Sequence, residues 1–198
     1  MKRLFSSFVA LFFLAVSAHA ADKIDWTLDK AHSHVGFSVR HLGISKVNGE
    51  FKEFDGKVVL DPQSGKLSSV EGEVRIASVD TGVDARDKHL LSGDFFDAAK
   101  FPLMTLKTKS ISYNGDKLTA VADLTIKGVT KTVTLTGDYL GTRTADFGQG
   151  KTLRTGYSVS TVINRQDFGL QFNMLAEGVS VVGNDVTIQL DVELFKAL

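Results

Sequence analysis

The chain has 198 residues, with 23 Lys+Arg balanced by 23 Asp+Glu and no cysteine. Balanced charge without a basic stripe gives nucleic-acid binding no footing. The lack of cysteine excludes disulfides, thiol catalysis, thiolate metal sites and lipidation at an N-terminal cysteine.

In chain order, Lys2 and Arg3 precede the apolar run Leu4 to Val16 and then Ser17-Ala18-His19-Ala20. This is the n-region, h-region and small-x-small pattern of a secretory signal peptide, residues 1–20, with cleavage between Ala20 and Ala21. The run is shorter than the roughly 20 apolar residues that a span needs. Cleavage leaves a net charge of −2 on residues 21–198. A secreted chain without disulfides relies on its core, which suits a soluble periplasmic protein with no stable membrane anchor. Residues 21–198 read as one domain, large enough to bury roughly 70% of the unfolded chain's surface.

From there the dominant signal has period two, the mark of half-buried antiparallel strands. Val35, Phe37 and Val39 alternate with His34, Gly36 and Ser38. Around Phe51 to Phe54 the apolar phase shifts by one residue, which predicts a β-bulge. Asp61 to Gly65 carries loop-forming residues. Val70, Gly72, Val74 and Ile76 resume the alternation. Asp84 to Ala99 lacks it and carries helix formers after a capping Asp84, which predicts one or two short helices ended by Phe101-Pro102. Asn114-Gly115 marks a tight hairpin, followed by the series Leu118 to Ile126. Lys127 to Thr130 is a second reversal. Further series run over Val133–Tyr139, Leu153–Ile163 and Val186–Leu194. About eight such strands predict a closed antiparallel barrel or a sandwich, and a barrel of that size is filled by side chains or holds one elongated ligand.

Candidate chemistry is sparse. His32 and His34 share parity and can pair on a metal, but no third ligand is fixed by spacing. Arg86 and His89 share a helix face at i, i+3 and can hold an anionic head group; the structural alternative is an Arg86–Asp87 network that pins the helix. Arg40-His41 and Arg165 place further cationic groups at strand ends. There is no G-x-S-x-G elbow, G-x-G-x-x-G or P-loop. The small residues Gly72, Ala120, Ala122 and Gly137 fall in the buried phase, where they leave room for a cavity or allow strands to coil.

Motifs in order along the chain carry a resemblance. They are Trp26-Thr-Leu-Asp29 with His32-Ser33; Val39-Arg40-His41-Leu42-Gly43; Gly49-Glu-Phe51 and Phe54-Asp-Gly56; and Ser78-Val-Asp80-Thr81-Gly82. Arg86-Asp87-x-His89-Leu90 follows, with Asp94-Phe95-Phe96-Asp97 and Lys100-Phe101-Pro102. Asp123 to Thr130 and Asn164-Arg165-x-Asp167-Phe168-Gly169 complete the set. Together they resemble the YceI-like, lipocalin-like polyisoprenoid-binding family. The resemblance implies an all-β, antiparallel, up-and-down eight-stranded barrel with an apolar tunnel for a long isoprenoid or other lipid chain. It also implies a periplasmic carrier that is not an enzyme and needs no cofactor, and in some relatives a membrane-bound cytochrome b561-type partner. Exposed strand edges are compatible with a homodimer and do not require one. Leu91 stands where relatives often carry Arg, which weakens an anionic head-group site. Thr132 stands where Pro is common, which loosens a turn.

On this reading Phe37, Val39, Phe51, Phe54, Val74, Ile76, Leu124 and Tyr157 line the tunnel. His41, Arg86, His89 and Arg165 contact the head group. The competing readings are an interaction protein with a filled barrel, docking through Asp84–Asp97, and a metal-binding protein that uses His32 and His34.

Overall fold

The computed structural model describes residues 26–61 and 64–198; the expected signal peptide 1–20 and the loop residues Pro62 and Gln63 lie outside them. Thirteen strands follow in order: β1 Thr27–Leu28, β2 His34–His41, β3 Ser45–Phe51, β4 Phe54–Leu60, β5 Leu67–Arg75, β6 Val79–Asp80 and β7 Leu103–Asn114. The remainder are β8 Lys117–Ile126, β9 Val129–Asp146, β10 Lys151–Asn164, β11 Leu175–Ala176, β12 Val179–Ser180 and β13 Val182–Ala197. One helix, α1 Asp84–Leu91, lies between β6 and β7.

All pairings are antiparallel, and the hydrogen-bonded order is β4-β5-β7-β8-β9-β10-β13-β2-β3-β6, with β1 on β13. Each long strand neighbours the next in sequence, and the last returns to the first. The sheet is therefore curled into an up-and-down antiparallel barrel, as expected. The count differs from eight because residues 45–60 form two strands. β3 pairs with β2 on one edge and β6 on the other, while β4 pairs with β5. The phase shift near Phe51 is thus a break at Lys52-Glu53 rather than a bulge. The 3₁₀ turn Ile76–Ser78 stitches the break: Lys52 N donates to Ser78 O (3.2 Å), and Glu53 N donates to Ser78 Oγ (2.9 Å). Counted as one kinked stave, residues 45–60 restore the number eight.

The reversals follow the turn chemistry. Lys127 and Gly128 both have positive φ, the geometry that matches strand twist in a two-residue hairpin. At the other hairpin Asn114 is still paired, with Lys117, so Gly115-Asp116 forms the turn. The predicted helical stretch shortens to α1 followed by turns. Its cap is Val83, which offers no side-chain hydrogen bond, so Asp84 lies inside the first turn, where its charge favours the helix dipole. Thr132 falls within β9 rather than in a turn, donating to Asp123 Oδ1 (2.8 Å) and accepting from Lys109 Nζ (2.9 Å).

The core is divided. A first cluster gathers Phe51, Ile76, Phe95, Phe96, Leu124 and Phe168 with half-buried neighbours from α1, including Leu91. A second gathers Leu67, Leu118, Tyr157 and Leu194, with Tyr113, Tyr139 and Trp26 packed against it. The first cluster surrounds a cavity in the barrel, and the second fills the end beyond it.

Candidate functional site

The site is built from the inward series of all eight staves. The cavity has a volume of about 230 Å³ and is lined almost wholly by apolar atoms. Phe37 and Val39 reach it from β2, Phe51 from β3, Phe54 from β4, Val74 from β5 and Leu124 from β8. Three rings form a ladder along one wall: Phe37 lies 5.6 Å from Phe51, and Phe51 meets Phe96 edge-on at 6.0 Å. Gly49 makes the ladder possible. A Cβ there would sit 2.4 Å from the Phe37 ring, so the ring covers bare backbone.

Two residues expected in the tunnel are elsewhere. Ile76 is fully buried, but it opens the 3₁₀ turn after β5, where alternation ends, and it packs into the wall. Tyr157 is inward-facing but belongs to the filled end. Its hydroxyl lies 3.4 Å from Gly65 O, and its ring lies 5.4 Å from that of Tyr139. Burial pushes the pKa of both Tyr113 and Tyr157 above the ordinary tyrosine value. Lys66 completes this plug, with Nζ 4.8 Å from the Tyr113 ring centre and donating to Gly115 O at 2.7 Å.

The small residues also divide. Gly72 lines the cavity together with its cross-strand partner Gly56. Ala120 and Ala122 pack into a wall cluster with Leu135 and leave no room there. Gly137 permits a close approach between strands: a Cβ there would lie 2.0 Å from Ser158 O.

Of the four cationic candidates, Arg165 alone lines the cavity. It is buried, and its fork is committed to the backbone: Nε donates to Gly183 O (2.9 Å), one terminal nitrogen to Leu170 O (2.5 Å) and the other to Val182 O (3.2 Å). Burial pulls its pKa below the ordinary arginine value. Arg86 instead donates to Thr81 Oγ1 and O, both at 2.7 Å, pinning α1 to the turn after β6. Asp87 accepts from the same threonine, so the structural alternative describes this pair. His41 ends β2 and pairs with Ser45 and Val182. His89 lies 2.9 Å from Asp94 and packs edge-on against Phe95 and Phe172, each at 5.0 Å. With Phe95 4.8 Å from Phe172, this contact joins α1 to the segment after β10 and closes the end of the barrel opposite the tyrosines.

The two histidines of the metal-binding alternative part company. His32 lies in the turn before β2, 3.0 Å from Asp29, whereas His34 pairs with Glu50 at 3.1 Å. Asp29, His32 and Glu193 each place a ligand atom within 4.8 Å of the others. Arg154 already donates to both carboxylates, supplying the positive charge at that point. Burial alone would raise the Asp29 pKa; His32 and Arg154 outweigh it and hold the group below its ordinary value.

Comparison with known proteins agrees with this architecture. The model of the YceI-like domain family matches residues 26–194. Protein YceI of Escherichia coli O6:H1 is 39% identical over 169 residues, covering 85% of this chain and 86% of the relative. A Staphylococcus aureus protein is 36% identical over 170 residues, 85% of this chain and 96% of its own. A crystal structure of the Campylobacter jejuni YceI protein superposes with a TM-score of 0.69 at 32% identity, covering 88% of this chain and 99% of that one. A polyisoprenoid-binding domain from Saccharophagus degradans has the same fold (TM-score 0.62, 16% identity, 89% of this chain and 100% of that one). The chain belongs to the YceI-like family.

Proposed function

We propose that this YceI-like protein is a periplasmic binding and carrier protein, not an enzyme, that holds the long apolar chain of an isoprenoid or similar lipid inside its barrel. The observation that carries this reading is the cavity itself. An apolar space of about 230 Å³ offers water almost no hydrogen bonds. Left empty, it costs on the order of 5 kcal/mol on the scale of residual core cavities, which rivals the whole stability of an ordinary domain. A chain of methylenes recovers that loss at about 0.8 kcal/mol per buried CH₂. Twenty such carbons give roughly 16 kcal/mol gross, against an association cost of about 4–15 kcal/mol. The chain therefore supplies affinity, and selection among lipids falls to polar groups at the cavity edge. Arg165 is the cation placed to contribute there, although its existing bonds leave little of the fork for a ligand. The polyisoprenoid named for the Saccharophagus domain is the ligand class to offer first.

The test is to secrete the protein to the periplasm, purify it without detergent, and compare native with denaturing mass spectra. One added mass per chain, extracted and identified as an isoprenoid, supports the carrier reading. A mixture of host fatty acids supports the cavity with another ligand. No added mass, and no uptake of an offered polyprenyl lipid, overturns the reading in favour of a filled-barrel interaction protein.

A further inference from the structure

We propose that the end of the barrel bearing the β2–β3 turn and the β11–β12 hairpin docks on the surface of an anionic lipid bilayer, so that cargo enters and leaves beside it. This inference rests on the carrier reading above. Two adjoining reversals present aliphatic side chains where polar ones are usual. Ile44 in the first is 85% exposed; in the second Met174, Leu175 and Val179 are 56%, 59% and 48% exposed. Leu42 N donates to Val181 O (3.2 Å), and Val181 N donates to Met174 O (2.9 Å), so both reversals belong to one surface. Leu42 adopts positive φ at a position that a β-hairpin usually gives to Asn, Asp or Gly.

The surface is continuous with the cavity. Val39 and Val182 line it immediately below the two reversals, and Leu170 lines it from the segment that leads into the hairpin. The contact of His89 and Phe95 with Phe172 lies on that same segment. A lipid chain leaving by this end emerges next to the exposed aliphatic side chains.

Charge selects the partner. Arg40 and Lys46 are exposed and directly opposite each other at the base of the first turn. Like charges so placed disfavour the pairing, and among the described residues neither forms an ion pair with a carboxylate. Anionic head groups complement them. Glu177, at the tip of the hairpin, is the opposing charge. A protein partner is the poorer fit. Even a large aromatic side chain buries only about 150–250 Å². Four partly exposed aliphatic residues fall short of the roughly 800 Å² that each partner contributes to a stable protein interface. Shallow insertion of a few apolar side chains flanked by cations is a membrane-surface arrangement.

Vesicle co-flotation tests this, using equal parts phosphatidylethanolamine and phosphatidylglycerol against phosphatidylcholine alone. The intact protein should float with the anionic vesicles, less so at high salt. The double variant I44D/L175D should partition at least about tenfold more weakly, the ratio expected for losing one aliphatic side chain from an apolar phase. R40E/K46E should lose the preference for anionic lipid. Both variants should still take up a fluorescent long-chain probe in solution, because none of these residues lines the cavity. Equal flotation of wild type and variants, or none by either, overturns the docking proposal. So does a wild-type dimer that I44D/L175D renders monomeric, since the patch would then join copies of this chain. Lost probe uptake by the wild type, with flotation intact, overturns the carrier reading and leaves docking standing.

Discussion

Replacing Gly72 with leucine should stabilise the empty protein while destroying its capacity for a long chain. Gly72 falls between Val70 and Val74, both of which line the cavity, and its partners across the sheet are Gly56 and Leu106. A Cβ added there meets no heavy atom nearer than 3.8 Å, the carbonyl oxygen of Asp55. The new side chain therefore projects into space rather than into a neighbour. Four added carbons, each contributing about 0.8 kcal/mol, give an upper bound near 3 kcal/mol of new apolar burial. Relief of glycine's backbone entropy adds roughly 0.5–1 kcal/mol. For a chain of this size each kcal/mol raises the melting temperature by about 2–4 °C, so a gain of several degrees is expected. The same four carbons displace about four methylenes of cargo, weakening binding by up to about 3 kcal/mol, on the order of a hundredfold. The assays are chemical unfolding of delipidated protein and titration with a fluorescent long-chain probe. Gly137→Ala is the control, because its Cβ would collide with Ser158 O and should cost about 1–3 kcal/mol or more. A Gly72→Leu protein that is less stable than the parent, or binds the probe equally well, would refute the assignment of this wall to the cavity.

Other consequences are as direct. Arg165→Met should lower stability by about 3 kcal/mol or more in urea unfolding, because Gly183, Leu170 and Val182 each lose the donor to their carbonyl. Arg165→Lys should not restore it, since an ammonium cannot reproduce the fork. The Asp29 pKa is depressed, so its contribution is present above the ordinary value of 3.8 and lost as the pH falls through the lower folded value. Asp29→Asn should accordingly flatten the loss of stability seen on acidification below about pH 4. Phe172→Ala should speed both uptake and release of the probe in stopped-flow measurements, with little change in their ratio. That side chain latches α1 to the segment after β10 without lining the cavity.

Alternation alone revealed the staves, and it chose the inward face correctly at Phe37, Val39, Phe51, Phe54, Val74 and Leu124. It failed where a local event ended the strand or where a stave outran the cavity. At Ile76 the backbone turns into a 3₁₀ helix, so parity no longer names a face. At Tyr157 parity is right, but the barrel is already full at that height. The cationic residues were harder, because charge in a sequence does not disclose what the charge is bonded to. Arg86 spends its donors on Thr81, and His89 sits between two rings. One signal was readable and missed: the two isolated aliphatic turns, Leu42-Gly43-Ile44 and Met174 to Val179, where turn chemistry calls for polar residues.

The pairing of the last long strand with the first sets the order in which this chain can assemble. Ser33 and Glu193, 160 residues apart, are joined by hydrogen bonds in both directions, and Phe37 lies opposite Ile188. Contacts of such separation form slowly, because closing the intervening loop loses entropy before any burial repays it. A chain delivered from its N-terminus must hold the greasy face of β2 unpaired until β13 arrives. The interval before that final closure is when the nascent wall is most open to aggregation and when, on the proposed function, a lipid chain can be enclosed without passing through a portal.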